Sequence, residues 1–192
     1  KVRVLTSTAM RGAVAAVLMY LEFPIPIMPA FVKLDVSELP ALIASFAYGP
    51  VSGILVCLIK NLIKLPSTST AAVGELFNFV MGALFVGVAG LIYKRNKTRK
   101  GAIVGALLGA LVMAVVSVPY NYFIVYPAYV VMYHLPLDAI IGMYQAINPN
   151  VNGLLACLLV FNLPFTFVKG ALDAVLCFLV YKPLSPILHG RK

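Results

Sequence analysis

Polar side chains are rare in this chain, and those present recur at spacings that could assemble a binding site. Asn162, Thr166 and Lys169 stand four and three residues apart, on one face of a helix. Glu75 and Asn78 are one turn apart, Lys60, Asn61 and Lys64 cluster together, and Asn121 is flanked by Tyr120 and Tyr122. Carboxamides both donate and accept hydrogen bonds, an ammonium only donates, and hydroxyls do either. With aromatic faces beside them, these groups suit a flat, neutral heterocycle with alternating carbonyl and N–H edges better than an inorganic ion. Two bland alternatives stand beside this reading. Glu75 could form a structural ion pair with Lys60 or Lys64, and Lys169 could be neutralised by Asp173 four residues on. Asp173 lies deeper and is taken as structural.

Other chemistry lacks its apparatus. The chain contains no Gly-x-x-x-x-Gly-Lys-Ser/Thr loop, no Gly-x-Ser-x-Gly and no His-Glu-x-x-His, so neither P-loop nucleotide binding nor those hydrolytic mechanisms are expected. His134 and His189 have no metal-ligand spacing around them, so no metal is expected. Cys57, Cys157 and Cys177 all lie in apolar runs; an odd count without a pattern predicts small buried hydrophobes, not disulfides. A membrane-embedded enzyme acting on lipid head groups would have only Glu75 with Asp138 to offer. No acidic ring suggests a channel, and no inverted repeat suggests a self-contained carrier. The expectation is a binding protein, not an enzyme, without a cofactor.

The elements that must position these residues are membrane helices. Of 192 residues, 62% are hydrophobic and 11% charged, with a mean hydropathy of +0.99. Soluble domains carry about 25% charged residues, and one of this size buries only about 70% of its chain surface. The +9 charge comes from 15 Lys+Arg against 6 Asp+Glu. The basic residues gather at Lys94, Arg95, Lys97, Arg99 and Lys100, and at the ends (Lys1, Arg3, Lys182, Arg191, Lys192). Such clusters beside apolar spans mark cytoplasmic loops, and nothing suggests a nucleic-acid partner.

The hydropathy pattern predicts an all-α, multi-pass protein forming one transmembrane domain over 1–192. Long spans are expected at 4–21, 71–93, 101–125 and 152–181. The uncharged stretch between residues 39 and 59 reads as one kinked span or as two short helices divided at Gly49-Pro50. One span would put the N-terminal and central basic clusters on opposite sides of the membrane. Two helices, about 36–48 and 50–64, give six spans with both termini cytoplasmic, and Gly-Pro suits a stop and restart. Helices this short should sit inside the bundle or be extended by loops. The outward segments are then 22–36, 65–70 and about 126–151. The apolar, proline-rich 22–36 segment and the tyrosines Tyr126, Tyr129, Tyr133 and Tyr144 fit a lid over a pocket or an interfacial aromatic belt.

Small residues recur every four positions at Gly101, Gly105 and Gly109, with Ala102, Ala106, Ala110 and Ala114 beside them. Ala9 with Ala13 and Gly12 with Ala16 repeat the spacing in the first span. Both stripes are expected to pack helices within the molecule.

Several runs, in register over nearly the whole chain, carry a resemblance. Lys33-Leu-Asp-Val-Ser-Glu-Leu-Pro-Ala-Leu-Ile, Tyr48-Gly-Pro-Val-Ser-Gly, Ile59-Lys-Asn-Leu-Ile, Gly74-Glu-Leu-Phe-Asn-Phe, Val118-Pro-Tyr-Asn-Tyr-Phe, Leu163-Pro-Phe-Thr-Phe-Val-Lys-Gly and Tyr181-Lys-Pro-Leu-Ser-Pro are similar to the riboflavin-specific S components of energy-coupling factor (ECF) vitamin transporters. The resemblance implies a six-helix protein of the bacterial cell membrane that captures riboflavin from outside. It also implies docking to a transmembrane coupling protein with two ATPases, through an Ala-x-x-x-Ala pattern matched by Ala9 and Ala13. The vitamin would lie in the outer half, under the loop after the first helix. Lys169, Asn162, Asn121 and Glu75 would then hydrogen-bond the ring edge and ribityl hydroxyls, with Asn78 in support. Thr166 stands where relatives often carry Asn. Tyr122 and apolar residues of 22–36 would pack on the ring faces, and Lys60 would orient Glu75. An S component for another vitamin would share this fold with a different pocket.

Overall fold

The computed structural model of the chain describes residues 2–29, 32–68, 72–134 and 136–189, with side chains described through residue 180. Lys1, Arg191 and Lys192 of the terminal cationic clusters, Ala30 and Phe31 of the 22–36 segment, and residues 69–71 lie outside the described residues, as does the side chain of Lys182.

Helix α1 (Val2–Tyr20) leads into a short antiparallel hairpin, β1 (Phe23–Pro24) and β2 (Lys33–Leu34), with Phe23 opposite Leu34. The sequence pattern did not signal this pairing, since two-residue strands are too short to show alternation. Next come α2 (Glu38–Tyr48) and α3 (Pro50–Lys64). The break predicted between them is present. Gly49 adopts φ +101°, a conformation a Cβ would strain, and Pro50 begins the next helix, where its missing N–H costs no hydrogen bond.

Helices α4 (Val73–Arg95) and α5 (Arg99–Tyr120) flank the central basic run. The Thr98 hydroxyl caps α5 by accepting from the Gly101 N–H at 3.0 Å. The expected stop at residue 125 does not occur. A π turn (Asn121–Val125) carries the helix into α6 (Tyr126–Tyr133), and α7 (Leu137–Gln145) follows. The segment 126–151, expected as an outward loop, is therefore largely helical. The chain ends through α8 (Leu154–Cys157), a second π turn (Leu158–Asn162) and α9 (Leu163–His189).

Among the described residues five helical stretches are long and apolar enough to cross a membrane: Val2–Tyr20, Pro50–Ser67, Val73–Arg95, Arg99–Tyr133 and Leu154–Val180. Helix α2 has only 11 residues, roughly 16 Å of rise. It resolves its shortness by burial: every residue from Pro40 to Phe46 is buried, and α2 packs on α1, α3, α4 and α9. Protein, not lipid, surrounds it.

The bundle is inverted relative to a soluble protein. Val51, Leu62, Leu91, Leu107, Leu111, Val115, Val168 and Leu179 point outward, while Lys60, Glu38 and Asp173 are buried. Lipid-facing helices gain nothing by hiding Leu and Val, so packing depends on close backbone approach. On α5 the buried stripe runs Gly101, Ala102, Gly105, Ala106, Gly109, Ala110, Ala114, against α4 and α9. A Cβ on Gly109 would lie 2.5 Å from the Phe85 carbonyl oxygen, and one on Gly105 would lie 2.8 Å from that of Ala89. On α1 the two interleaved pairs part company: Gly12 and Ala16 turn inward, Gly12 against Ile59, while Ala9 and Ala13 are exposed. The three cysteines are free and buried.

Gly109→Val should wedge α4 from α5 and cost about 1–3 kcal/mol, seen as a lowered midpoint of thermal unfolding in detergent. Gly142→Ala on α7, where a Cβ meets nothing within 4 Å, should leave that midpoint unchanged or slightly raised.

Candidate binding site

A cavity lies beneath the hairpin segment, lined from α1 to α9. Met19, Glu22, Val32, Lys33 and Asp35 border it from the end of α1 and the segment after it. Glu38, Lys64, Glu75, Phe77, Asn78, Met81 and Met113 line it from α2 to α5. Asn121, Val125, Tyr126 and Tyr129 complete the lining together with Asn162, Phe165, Thr166 and Lys169. Six of the eight residues expected at a site are therefore brought together: Glu75, Asn78, Asn121, Asn162, Thr166 and Lys169.

Two of these owe their placement to proline. An intrahelical proline offers no N–H to the carbonyl four residues back, and its ring crowds that carbonyl. Pro127 stands four residues after Phe123, the middle of the first π turn, and Pro164 four after Val160, the middle of the second. At Pro127 and Pro164 the helix widens by one turn rather than breaking, whereas Pro119 lies within α5 without a wide turn before it. Asn121 opens the first wide turn and Asn162 closes the second, and both are buried at the cavity. Wide turns of this kind recur at functional sites because they redirect a side chain.

The deepest wall is an ionic network. Lys169 Nζ donates to Asp35 Oδ2 at 2.9 Å and lies 3.4 Å from Glu38 Oε2. Lys60 Nζ donates to Glu38 Oε1 at 2.7 Å and to Ser37 Oγ at 2.5 Å. The Ser37 backbone N–H donates to Asp35 Oδ1 at 2.9 Å. Burial pushes the Asp35 carboxyl up, but Lys169, Lys60 and the Ser37 bond together outweigh burial and hold it well below the carboxylate range. A carboxyl lowered in this way stabilises the fold at all pH values above the ordinary Asp value of about 3.9. That contribution disappears only as pH falls through its lowered value, so the link is intact at neutral pH. An ammonium has three N–H donors; Lys169 gives one to Asp35 and lies beside Glu38 as an ion-pair partner, at the cavity lining.

The hairpin segment is also held at its first end. Glu22 pairs with Lys33 at 2.8 Å and with Lys64 at 3.2 Å, and Lys64 donates to the Met19 carbonyl. Glu75 accepts from the Thr68 hydroxyl at 2.8 Å. Behind the lining, Tyr144 donates to Asn162 Oδ1 at 2.7 Å, and Asn162 Nδ2 donates to the Tyr126 oxygen at 3.3 Å. Burial pushes the Tyr144 hydroxyl up, so it remains a protonated donor.

Two expectations are corrected, and two alternatives are not realised. Lys60 does not orient Glu75; it lies fully buried off the cavity and holds Glu38 and Ser37. Tyr122 points outward, edge-on to Phe123, because adjacent helical residues diverge by about 100° and Asn121 takes the inward direction. The inward aromatics are Tyr126 and Tyr129, which continue the Asn121 face along a helix expected to have ended. Lys169 does not pair with Asp173, whose two carboxylate oxygens have no hydrogen-bond partner among the described residues. Asp138 is exposed and absent from the cavity lining, so it forms no acid–base pair there with Glu75. Asp35 and Glu38 escaped the sequence reading altogether. Their signal was the acidic pair in Asp35-Val-Ser-Glu38 entering a short apolar helix.

The profile of the family described as "ECF transporter, substrate-specific component" matches residues 3–181. The riboflavin transporter RibU of Staphylococcus aureus (strain TCH60) is 34% identical over 96% of this chain and 91% of its own. The riboflavin transporter FmnP of Bacillus subtilis (strain 168) is 34% identical over 100% of this chain and 97% of its own. A solved S component of a bacterial ECF transporter superimposes with a TM-score of 0.76 at 32% identity, covering 97% of both chains. With a matched profile over most of its length, full-length relatives and a common fold, the chain belongs to the substrate-specific components of ECF transporters.

Proposed function

We propose that the chain captures riboflavin at the outer face of a bacterial cell membrane and delivers it inward with an ECF coupling protein and two ATPases. It has no P-loop of its own, so the free energy of uptake comes from those partners. In this reading the chain is one domain with six spans, α2 completing the set as a short buried helix, and both termini are cytoplasmic. The cavity beneath the hairpin is the observation that carries the proposal. It joins three carboxamides, the Lys169 ammonium and the Phe165, Tyr126 and Tyr129 rings. A tricyclic ring with a lactam edge and a polyhydroxyl tail matches that inventory. Lys169, Asn162, Asn121 and Glu75 bind the polar groups, with Asn78 and Thr166 beside them. Ala9 and Ala13, small and outward-facing on α1, suit close approach of a partner helix.

The purified protein should carry a yellow chromophore and quench added riboflavin fluorescence saturably. A colourless protein that takes up thiamine or biotin instead would end the assignment. Lys169→Met should weaken riboflavin binding about tenfold or more, the effect of losing a charge-assisted hydrogen bond worth about 1.5–3 kcal/mol. The same change strips Asp35 of its counter-ion, so the double variant Lys169→Met/Asp35→Asn should recover thermal stability without recovering affinity. An unaltered Kd in both variants removes Lys169 from the site. Ala13→Leu should abolish co-purification with the coupling protein and leave riboflavin affinity unchanged.

A further inference from the structure

Tyr144 does not line the cavity, yet it is fully buried and its hydroxyl touches a residue that does. It sits on α7, outside the long apolar helices, among Val118, Tyr126, Ile140, Val151, Leu154 and Leu158. Its phenol has one proton, and that proton goes to Asn162 Oδ1, since a carboxamide oxygen can only accept. The 2.5 Å contact between the Tyr126 and Tyr144 oxygens is therefore a donation from Tyr126 to Tyr144. Asn162 Nδ2 then donates back to Tyr126. The three side chains close a ring of hydrogen bonds in which each acts as both donor and acceptor, and such rings polarise cooperatively.

The ring fixes Asn162 at both ends of its amide. A carboxamide has two N–H donors and two acceptor lone pairs; the tyrosines engage one of each and leave one of each for the cavity. Without the tyrosines the amide could rotate about its terminal torsion, which has broad wells. It also sits at the mouth of the second π turn, where helical hydrogen bonding gives the backbone less constraint. From this geometry we infer that Tyr144, with Tyr126, is a positioning residue for riboflavin binding, setting the Asn162 amide so that its remaining donor and acceptor meet the ligand. The inference rests on the assignment of Asn162 to the riboflavin site.

A double-mutant cycle tests it. Tyr144→Phe keeps the ring packing and removes only the hydroxyl. It should lower riboflavin affinity about tenfold by fluorescence titration, with a thermal midpoint close to that of the unmodified protein. In an Asn162→Leu background, itself weakened, Tyr144→Phe should change affinity less than twofold, because the group it acts through is gone. Tyr126→Phe, which removes the donor to Tyr144, should reproduce both results and serves if the Tyr144 variant fails to fold. A Tyr144→Phe protein that binds like the unmodified one, or loses affinity equally in both backgrounds, overturns the inference while leaving Asn162 at the site. An Asn162→Leu protein with undiminished affinity overturns the inference together with the assignment beneath it.

Discussion

Lys60 is fully buried and Lys169 nearly so at the cavity wall, and the course of the chain around the cavity follows from neutralising their charges. Removing an ammonium from water costs several kcal/mol even after relaxation, and the cost is recovered only with paired, well-oriented carboxylates. Asp35, just after β2, and Glu38, the first residue of α2, provide these. To reach both lysines, the acidic segment must enter the bundle, and α2 must enter with it. A helix of 11 residues is poorly matched to lipid but well matched to a position where neighbouring helices surround it. Its burial, the inward path of β2 and the closed floor of the cavity are thus one consequence of two charges.

The network also determines how the segment over the cavity is held. Its return end carries Asp35, clamped to α9 by Lys169 and to its own turn by the Ser37 N–H. Its outgoing end carries Glu22, whose side chain is 25% exposed, tied to the exposed Lys33 and the buried Lys64. Exposed ion pairs contribute only about 0–1 kcal/mol, and breaking a buried one costs about 3–5 kcal/mol. The two ends therefore differ in strength. The return end is held by a carboxylate that is almost wholly buried, Asp35, and the outgoing end by one that is partly solvated, Glu22.

Much of this was legible in the sequence where composition or helical spacing dictated it. Scarcity of charge excluded a soluble fold, Gly49-Pro50 marked the break between α2 and α3, and Asn162, Thr166 and Lys169 share a face because three- and four-residue spacing requires it. Contacts across the chain were not legible. Lys169 meets Asp35 across 134 positions, and no periodicity relates them, whereas the local alternative, Asp173, is only four residues away. Tyr126 and Tyr129 were read as part of an outward loop, over a pocket or in an aromatic belt, because the span was taken to end at residue 125, and Tyr122 was given the inward direction that its neighbour Asn121 takes. A helix that widens at proline continues, and the residues beyond the wide turn, Tyr126 and Tyr129 among them, reach the cavity.

That widening bears on why prolines stand beside this cavity at all. A regular α-helix returns to the same face after seven residues with a small drift, so its inward positions are fixed by register alone. Inserting one π turn rotates everything beyond it relative to everything before. In α5–α6 the small-residue stripe that packs on α4 lies before the wide turn, and Tyr126 and Tyr129 lie after it. In the last long helix the order is reversed: Leu154 and Cys157, which pack into the Tyr126–Tyr144 cluster, precede the wide turn, and Thr166 and Lys169 follow. Each helix thus serves a packing surface and a cavity wall that a single regular register would not satisfy together. Pro127 and Pro164 supply the offset, and the two buried asparagines at the turns take the cavity positions it creates.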